Sequence, residues 1–252
     1  MKVSVITCTW NSEPYLQQSI ESVLSQDYQD IEYIFVDGGS TDGTLARIHA
    51  LKRPYKLLEN VRGGISRAMN AGAAIATGDV IAHLHGDDYY LRPDTISKVI
   101  KVFESTAANW VTGKILTLAD GKFISHPPRN RRITFNDIIG GHCFIPHQST
   151  FVKSALFRNV GGFDESLRYA MDWDMWHKIA RLYPPAVLEE DIAVFRQHSG
   201  STSTGNRKSQ LAARREERAV KMRYARYAPL EAFRWLILNM IRTTRLQLNI
   251  SK

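Results

Sequence analysis

Residues 79–93 read DVIAHLHGDDYYLRP. Val80, Ile81, Ala82 and Leu84 make an apolar run of strand length, and the run ends in Gly86 and two adjacent carboxylates, Asp87 and Asp88. This predicts a buried strand with an acidic tip. Like charges side by side at the carboxyl edge of a sheet repel each other unless a cation offsets them, and a divalent metal is the usual partner. In open α/β sheets ligands settle in the crevice outside the carboxyl ends of the strands, so position and chemistry agree. The competing reading is that the pair caps a helix opening near Pro93 and Asp94.

The same rhythm of strand, polar turn and helix recurs upstream. Residues 2–9 (KVSVITCT) are β-branched and apolar and predict a first buried strand; Trp10-Asn11-Ser12 then opens a helix near Glu13 and Pro14. A second strand over 31–36 runs into Asp37-Gly38-Gly39-Ser40-Thr41-Asp42-Gly43-Thr44. A third over 56–58 is followed by Gly63-Gly64 and a helix over 65–76, whose Ala68, Ala71, Gly72, Ala73 and Ala74 permit close packing on a sheet. Strands alternating with helices at this spacing predict an α/β fold with a mostly parallel, doubly wound sheet and helices on both faces.

Downstream, a helix over 93–105 precedes a strand over 110–118 that turns at Asp120-Gly121. Pro127-Pro128-Arg129-Asn130-Arg131-Arg132 reads as a basic surface loop. A short strand near 147–151, a helix from Met171 and a strand over 186–195 follow, the last ending in Arg196-Gln197-His198-Ser199-Gly200-Ser201. Asp172 and Asp174 fall in the first turn of the helix from Met171, where carboxylates favour the helix dipole. Two residues apart, they point in different directions, so at most one faces a given site.

With 252 residues, 44% of them hydrophobic, the chain can fill one full α/β domain and carry an appendage. Cys8 and Cys143 lie far apart without CxxC spacing and read as reduced thiols of a cytosolic protein. Neither a secretory leader nor a run of the ~20 apolar residues that a membrane-spanning helix needs is expected. The net charge of +8 is concentrated: residues 205–252 hold twelve Lys and Arg against three Glu, and the rest is nearly neutral. That division suggests a body over 1–204 and a basic helical tail over 205–252. In the tail Leu230, Phe233, Ile237, Met240, Ile241 and Leu248 form an apolar stripe flanked by Arg234, Arg242 and Arg245, a pattern that suits packing on the body or an anionic membrane surface.

Taken together, VSVITCTWN, FVDGGSTDGT, GISRAMNAGAAIATGDVIAHLHGDD, Asp172-Trp173-Asp174-Met175-Trp176 and Arg196-Gln197-His198 with Ser201 resemble, in order and spacing, the motifs of family 2 glycosyltransferases of the GT-A fold over residues 2–203. The resemblance implies an inverting transferase that moves a sugar from a nucleotide sugar, with a UDP-sugar favoured over a GDP- or dTDP-sugar, to a glycan acceptor. Mg²⁺ or Mn²⁺ would rest on Asp87 and Asp88, with His198 within reach, and Asp172 would serve as the base. Trp10 would stack on the nucleobase or else fill the core; Asp37 would contact base or ribose or else cap a helix; Arg67 would meet a phosphate or else lie on a helix face; Asp87 would also touch the nucleotide sugar. Two departures stand out: Gly38 where the family often carries a second carboxylate, and His85 where its acidic motif often begins with aspartate.

The tail adds an expectation of a lipid-linked acceptor, used in surface polysaccharide synthesis at the cytoplasmic face of a membrane. A nucleotidyltransferase is the nearest rival, but no glycine-rich phosphate loop with a nearby lysine follows the first strand. A non-catalytic nucleic-acid binder would need more aromatic residues in the tail than Tyr224, Tyr227, Phe233 and Trp235, so no nucleic acid is expected as partner.

Overall fold

The computed structural model describes residues 1–126, 132–141, 145–198 and 207–248. Cys143, residues 127–131 of the basic loop and Ser201 lie outside the described residues. The elements run β1 (Val3–Thr9), α1 (Glu13–Leu24), β2 (Ile31–Asp37), α2 (Thr44–His49), β3 (Lys56–Leu58), α3 (Ile65–Ile75), β4 (Val80–His83), β5 (Tyr89–Tyr90), α4 (Thr95–Ser105), β6 (Trp110–Ala119) and β7 (Lys122–Ser125). They continue with α5 (Phe135–Ile139), a 3-10 turn (His147–Ser149), β8 (Thr150–Lys153), α6 (Ser154–Asn159), α7 (Met171–Ala180), β9 (Ala186–Gln197), α8 (Arg207–Tyr224), a second 3-10 turn (Ala225–Tyr227) and α9 (Pro229–Leu248).

Among the described residues the strands form one sheet in the order β3-β2-β1-β4-β8-β6-β9-β5, with β7 paired to β6. β3, β2, β1 and β4 are mutually parallel, and β6 and β9 point the same way because β8 is antiparallel to both β4 and β6. Six strands therefore share one direction and bring their carboxyl ends to one edge.

Successive side chains of a strand face opposite sides of a sheet, and here both sides are covered. Val3, Val5, Val80 and Ala82 pack with Leu16 and Ile20 of α1 and Val99 of α4; Ile6 and Ile81 pack with Met69 of α3 and Trp176 and Ile179 of α7. This is why β1, β2 and β4 read as nearly unbroken apolar runs. On α3 the backbone touches the sheet at Gly72, where a Cβ would stand 2.5 Å from the Ile6 side chain. The Asp120-Gly121 turn has φ of +49° and +73°, the left-handed pair that a two-residue hairpin requires.

The first half of the basic tail is part of this body. Val220 of α8 is buried against Leu167 and Ala170, and Ala228 and Ala232 pack on Ile139. Lys221 is only 1% exposed; its ammonium donates to the carbonyls of Ile138 and Ile139 at the end of α5 and lies 5.0 Å from the Trp173 ring and 4.2 Å from that of Trp235. The exposed face of α9 carries Leu230, Phe233, Ile237, Leu238 and Met240. Among the described residues no helix is long and apolar enough to cross a membrane. Replacing Lys221 by Ala takes the ammonium donor from the Ile139 carbonyl and leaves the Ile138 carbonyl with the Gly141 N–H, so Lys221→Ala is expected to cost about 2 kcal/mol. Urea denaturation will register this as a lower midpoint at unchanged slope.

Candidate active site

The shared strand direction brings the ends of β1, β2, β4 and β9 to one rim. β4 gives way to Asp87 and Asp88, and the two carboxylates part company. Asp88 is 1% exposed; its Oδ2 accepts from the Gln148 amide at 2.9 Å and its Oδ1 from the Arg196 backbone N–H at 2.9 Å. Burial, then the neighbouring Asp87, push its carboxyl well above the usual carboxylate range. Asp87 is half-buried and turns outward, with its Oδ2 3.0 Å from Nε2 of His198. Arg196 also donates from Nε to the Asp87 carbonyl at 3.1 Å and to the Gln18 side chain, with its guanidinium 5.0 Å from the Tyr15 ring and 5.4 Å from that of Tyr89. The Tyr15 ring in turn meets the His198 ring at 4.5 Å. α1 and the end of β9 thus clamp the acidic tip.

Under the tip lie three imidazoles. His85 and His147 stack at 4.9 Å, and His83 sits 5.5 Å from His147. Burial lowers all three, His83 to about 3, so the floor below the aspartates is neutral. The donor set fits a hard divalent cation: each Asp88 oxygen keeps a lone pair beyond its one hydrogen bond, Asp87 faces out, and the His198 imidazole is adjacent. Among the described residues no three His, Cys, Asp or Glu side chains converge into a complete cage. Asp87, Asp88 and His198 would thus supply part of a cation's ligands, with the rest coming from outside the chain.

The ends of β1 and β2 are knitted together. Asp37 is fully buried: Oδ1 accepts from the Gly39 and Ser40 amides at 2.8 Å, and Oδ2 from the hydroxyls of Thr9 at 2.8 Å and Ser40 at 2.5 Å. Four donors fill a carboxylate. The expected contact of Asp37 with base or ribose is thereby corrected: its side chain builds the turn and does not face outward. Gly38 stands next to Trp10, whose ring is 71% exposed, which rules out the core reading of that tryptophan. Arg67 lies exposed along the Gly63-Gly64 turn, and the side chains of Asn60 and Arg62 border Gly39; neither Asn60 nor Arg62 carries a motif that would single it out in the sequence.

On α7 the two aspartates separate as their spacing requires. Asp174 is 1% exposed and engaged by Lys178 at 2.8 Å, the Tyr224 hydroxyl at 3.0 Å and Arg223 at 3.5 Å. Asp172 makes no ion pair among the described residues; one oxygen accepts from the Trp173 amide at 2.7 Å, and burial pushes its carboxyl up to about 6. One turn on, and so on the same helix face, Trp176 donates to the Ile145 carbonyl at 3.1 Å and its ring lies 6.2 Å from His147. His147 stacks on His85, two residues before Asp87. A continuous line of contacts therefore joins the face of α7 that bears Asp172 to the acidic tip.

The profile of glycosyl transferase family 2 matches residues 4–159. An uncharacterized glycosyltransferase of Mycobacterium tuberculosis is 28% identical over 190 residues, covering 74% of this chain and 71% of that protein. Among solved structures, S. aureus TarS 1-349 in complex with UDP-GlcNAc aligns with a TM-score of 0.72 at 22% identity, over 87% of this chain and 66% of that one. The mannosyltransferase PcManGT from Pyrobaculum calidifontis, in complex with GDP-Man and Mn2+, aligns with a TM-score of 0.65 at 18% identity, over 96% of this chain and 80% of that one. At these identities the structural likeness speaks for the fold, and the chain spans about two thirds of the TarS fragment. The profile match takes in more than half of the residues, from β1 through the acidic tip to α6, and by it the chain belongs to glycosyl transferase family 2, glycosyltransferases built on the GT-A fold.

Proposed function

We propose that the chain is an inverting, metal-dependent glycosyltransferase that moves a sugar from a nucleotide sugar to a hydroxyl of a glycan acceptor. The observation that carries this reading is the pairing of a clamped acidic tip at the carboxyl edge with one α7 carboxylate, Asp172, that the fold leaves without an ion pair among the described residues. Asp87, Asp88 and His198 would hold Mg²⁺ or Mn²⁺, which would offset the charge of the departing nucleoside diphosphate. TarS in complex with UDP-GlcNAc and PcManGT with GDP-Man and Mn2+ support a nucleotide-sugar donor and a divalent cation. A UDP-sugar is favoured, with GDP- and dTDP-sugars as alternatives.

The chain's own residues do the rest. Trp10, exposed at the rim, stacks on the nucleobase; the turn that Asp37 builds presents the Gly38 backbone beside it; Arg67 meets a phosphate. His198, packed on Tyr15, closes over the diphosphate and keeps water from the donor. Asp172 takes the proton of the acceptor hydroxyl as its oxygen bonds to the anomeric carbon, and the electron pair of the breaking bond leaves with the diphosphate from the opposite face. With a carboxyl pushed up to about 6, Asp172 is ionised at neutral pH and still basic enough to accept that proton.

We further place the enzyme at the cytoplasmic face of a membrane, acting on a lipid-linked acceptor in surface polysaccharide synthesis. The exposed apolar face of α9, in a segment of strong positive charge, supports this.

Each part has its own expected outcome. Asp172→Asn should lower kcat by about 10³-fold while nucleotide binding survives, and the rate of the parent enzyme should fall as pH drops below about 6, where the base becomes protonated; steady-state rates from pH 5 to 8 check both. In a thermal-shift panel of UDP-, GDP- and dTDP-sugars, one nucleotide should stabilise the chain more with Mn²⁺ than without. Asp88→Asn should lose that Mn²⁺-dependent part yet stay folded, because a flipped Gln148 amide can satisfy the new side chain. Phe233→Ser combined with Ile237→Ser should weaken flotation with anionic vesicles by about tenfold or more, given the apolar area removed, with no fall in melting temperature.

A further inference from the structure

The first amides of a helix have no acceptor within it, and the N-cap side chain ordinarily supplies one. For α7 the N-cap residue is Ala170, which has nothing to offer. What a neighbouring helix supplies instead is a carboxylate that holds the turn leading into α7. Glu216 of α8 receives the backbone N–H of Arg168 at 3.2 and 3.1 Å on its two oxygens, that of Tyr169 at 2.7 Å and that of Ala170 at 3.1 Å. The chain separation is 46 to 48 residues. A carboxylate at this end of α7 also meets the positive pole of its dipole.

The rest of the same α8 face holds the same turn. Four residues beyond Glu216, Val220 packs on Leu167 and Ala170; further on, Tyr224 and Arg223 bind Asp174, and Arg223 reaches Asp164 at 2.7 Å. From the opposite side, Ser66 of α3 donates to the Leu167 carbonyl at 3.1 Å. Residues 167–174 are therefore gripped between α3 and α8, and Asp172 sits within this stretch with a single short bond of its own, from the Trp173 amide.

We infer that Glu216 is a positioning residue of the reaction: by binding from α8 the three amides of 168–170 that lead into α7, it fixes the backbone from which Asp172 reaches the acceptor hydroxyl. This rests on the reading of Asp172 as the base. The half of the tail next to the body is then part of the catalytic apparatus, and the exposed face of α9 remains for a membrane. An error of about 1 Å in a base costs on the order of 10²-fold in rate.

The test uses the full chain, with the sugar nucleotide that the panel identifies for turnover and UDP with Mn²⁺ as the binding probe. Glu216→Ala should lower kcat by about 10²-fold while KM for the donor stays within about twofold. Glu216→Asp should recover part of the loss, and the thermal shift given by UDP and Mn²⁺ should be unchanged. Hydrogen exchange of the amides at 168–172 should quicken in Glu216→Ala while that of β1 and β4 does not. Should Glu216→Ala fail to fold, Glu216→Gln, which keeps one acceptor oxygen, takes its place. Turnover per folded molecule equal to the parent's, or a loss of donor affinity in step with kcat, overturns the inference. If Asp172→Asn keeps full activity the base assignment falls and this inference with it; if Asp172→Asn is inactive while Glu216→Ala is as fast as the parent, only the role of Glu216 falls.

Discussion

Two neighbouring carboxylates at the end of a buried strand require an answering positive charge, and much of the molecule is arranged around that requirement. The imidazoles beneath them do not meet it, because burial holds His83, His85 and His147 neutral. Arg196 meets it in part, through its backbone amide to Asp88, but its guanidinium is spread between two tyrosine rings and Gln18. What remains is a buried Asp88 whose ionised form is disfavoured and an outward Asp87 beside His198. The proposed cation with a diphosphate would complete such a site.

The fold follows from the same edge. A parallel run of β1, β2 and β4 lines up their carboxyl ends, so that each following turn adds one piece of chemistry at one rim. This half was legible in the sequence because strands buried on both faces read as apolar runs and their helices announce themselves by period and by glycine. The other half was less so. β5 has two residues, Tyr89 and Tyr90, and exists only because Tyr89 and Tyr90 pair with Val194 and Ala193 more than a hundred residues away. The 3-10 turn at His147 sits against the imidazoles of His83 and His85, more than sixty residues away. Neither leaves a periodic mark.

The site was legible to a similar depth. The spacing of Asp172 and Asp174 foretold that they would diverge, and α8 claims Asp174 with Tyr224 and Arg223 and so leaves Asp172 apart. Asp37 misleads a reader of the sequence, since a carboxylate before two glycines at a strand end fits a ligand contact as well as a self-contained turn. Only the register that sets Thr9 opposite Asp37 reveals that its four acceptor sites are filled from within. Gln148, Tyr15 and Glu216 carry no local signal, because each acts on a partner far along the chain.

The charge of the tail also takes on a different meaning. Twelve basic residues suggest a solvated, surface-seeking appendage, yet the groups that attach α8 to the body include its acidic Glu216 and a lysine withdrawn from water between two tryptophan rings. Aromatic faces along the stem and helix-end carbonyls at the ammonium both answer this lysine's charge. Arg223 adds surface charge to this attachment through Asp164 and Asp174, whereas Leu230, Phe233 and Ile237 of α9 stay exposed. α8 lies between the two: its inner face binds the turn that leads into α7 and holds Asp174 of the first helical turn, and its carboxyl end passes through a 3-10 turn into α9. A surface that held α9 would therefore act on a segment two elements away from Asp172, connected through packed helices rather than through a flexible linker.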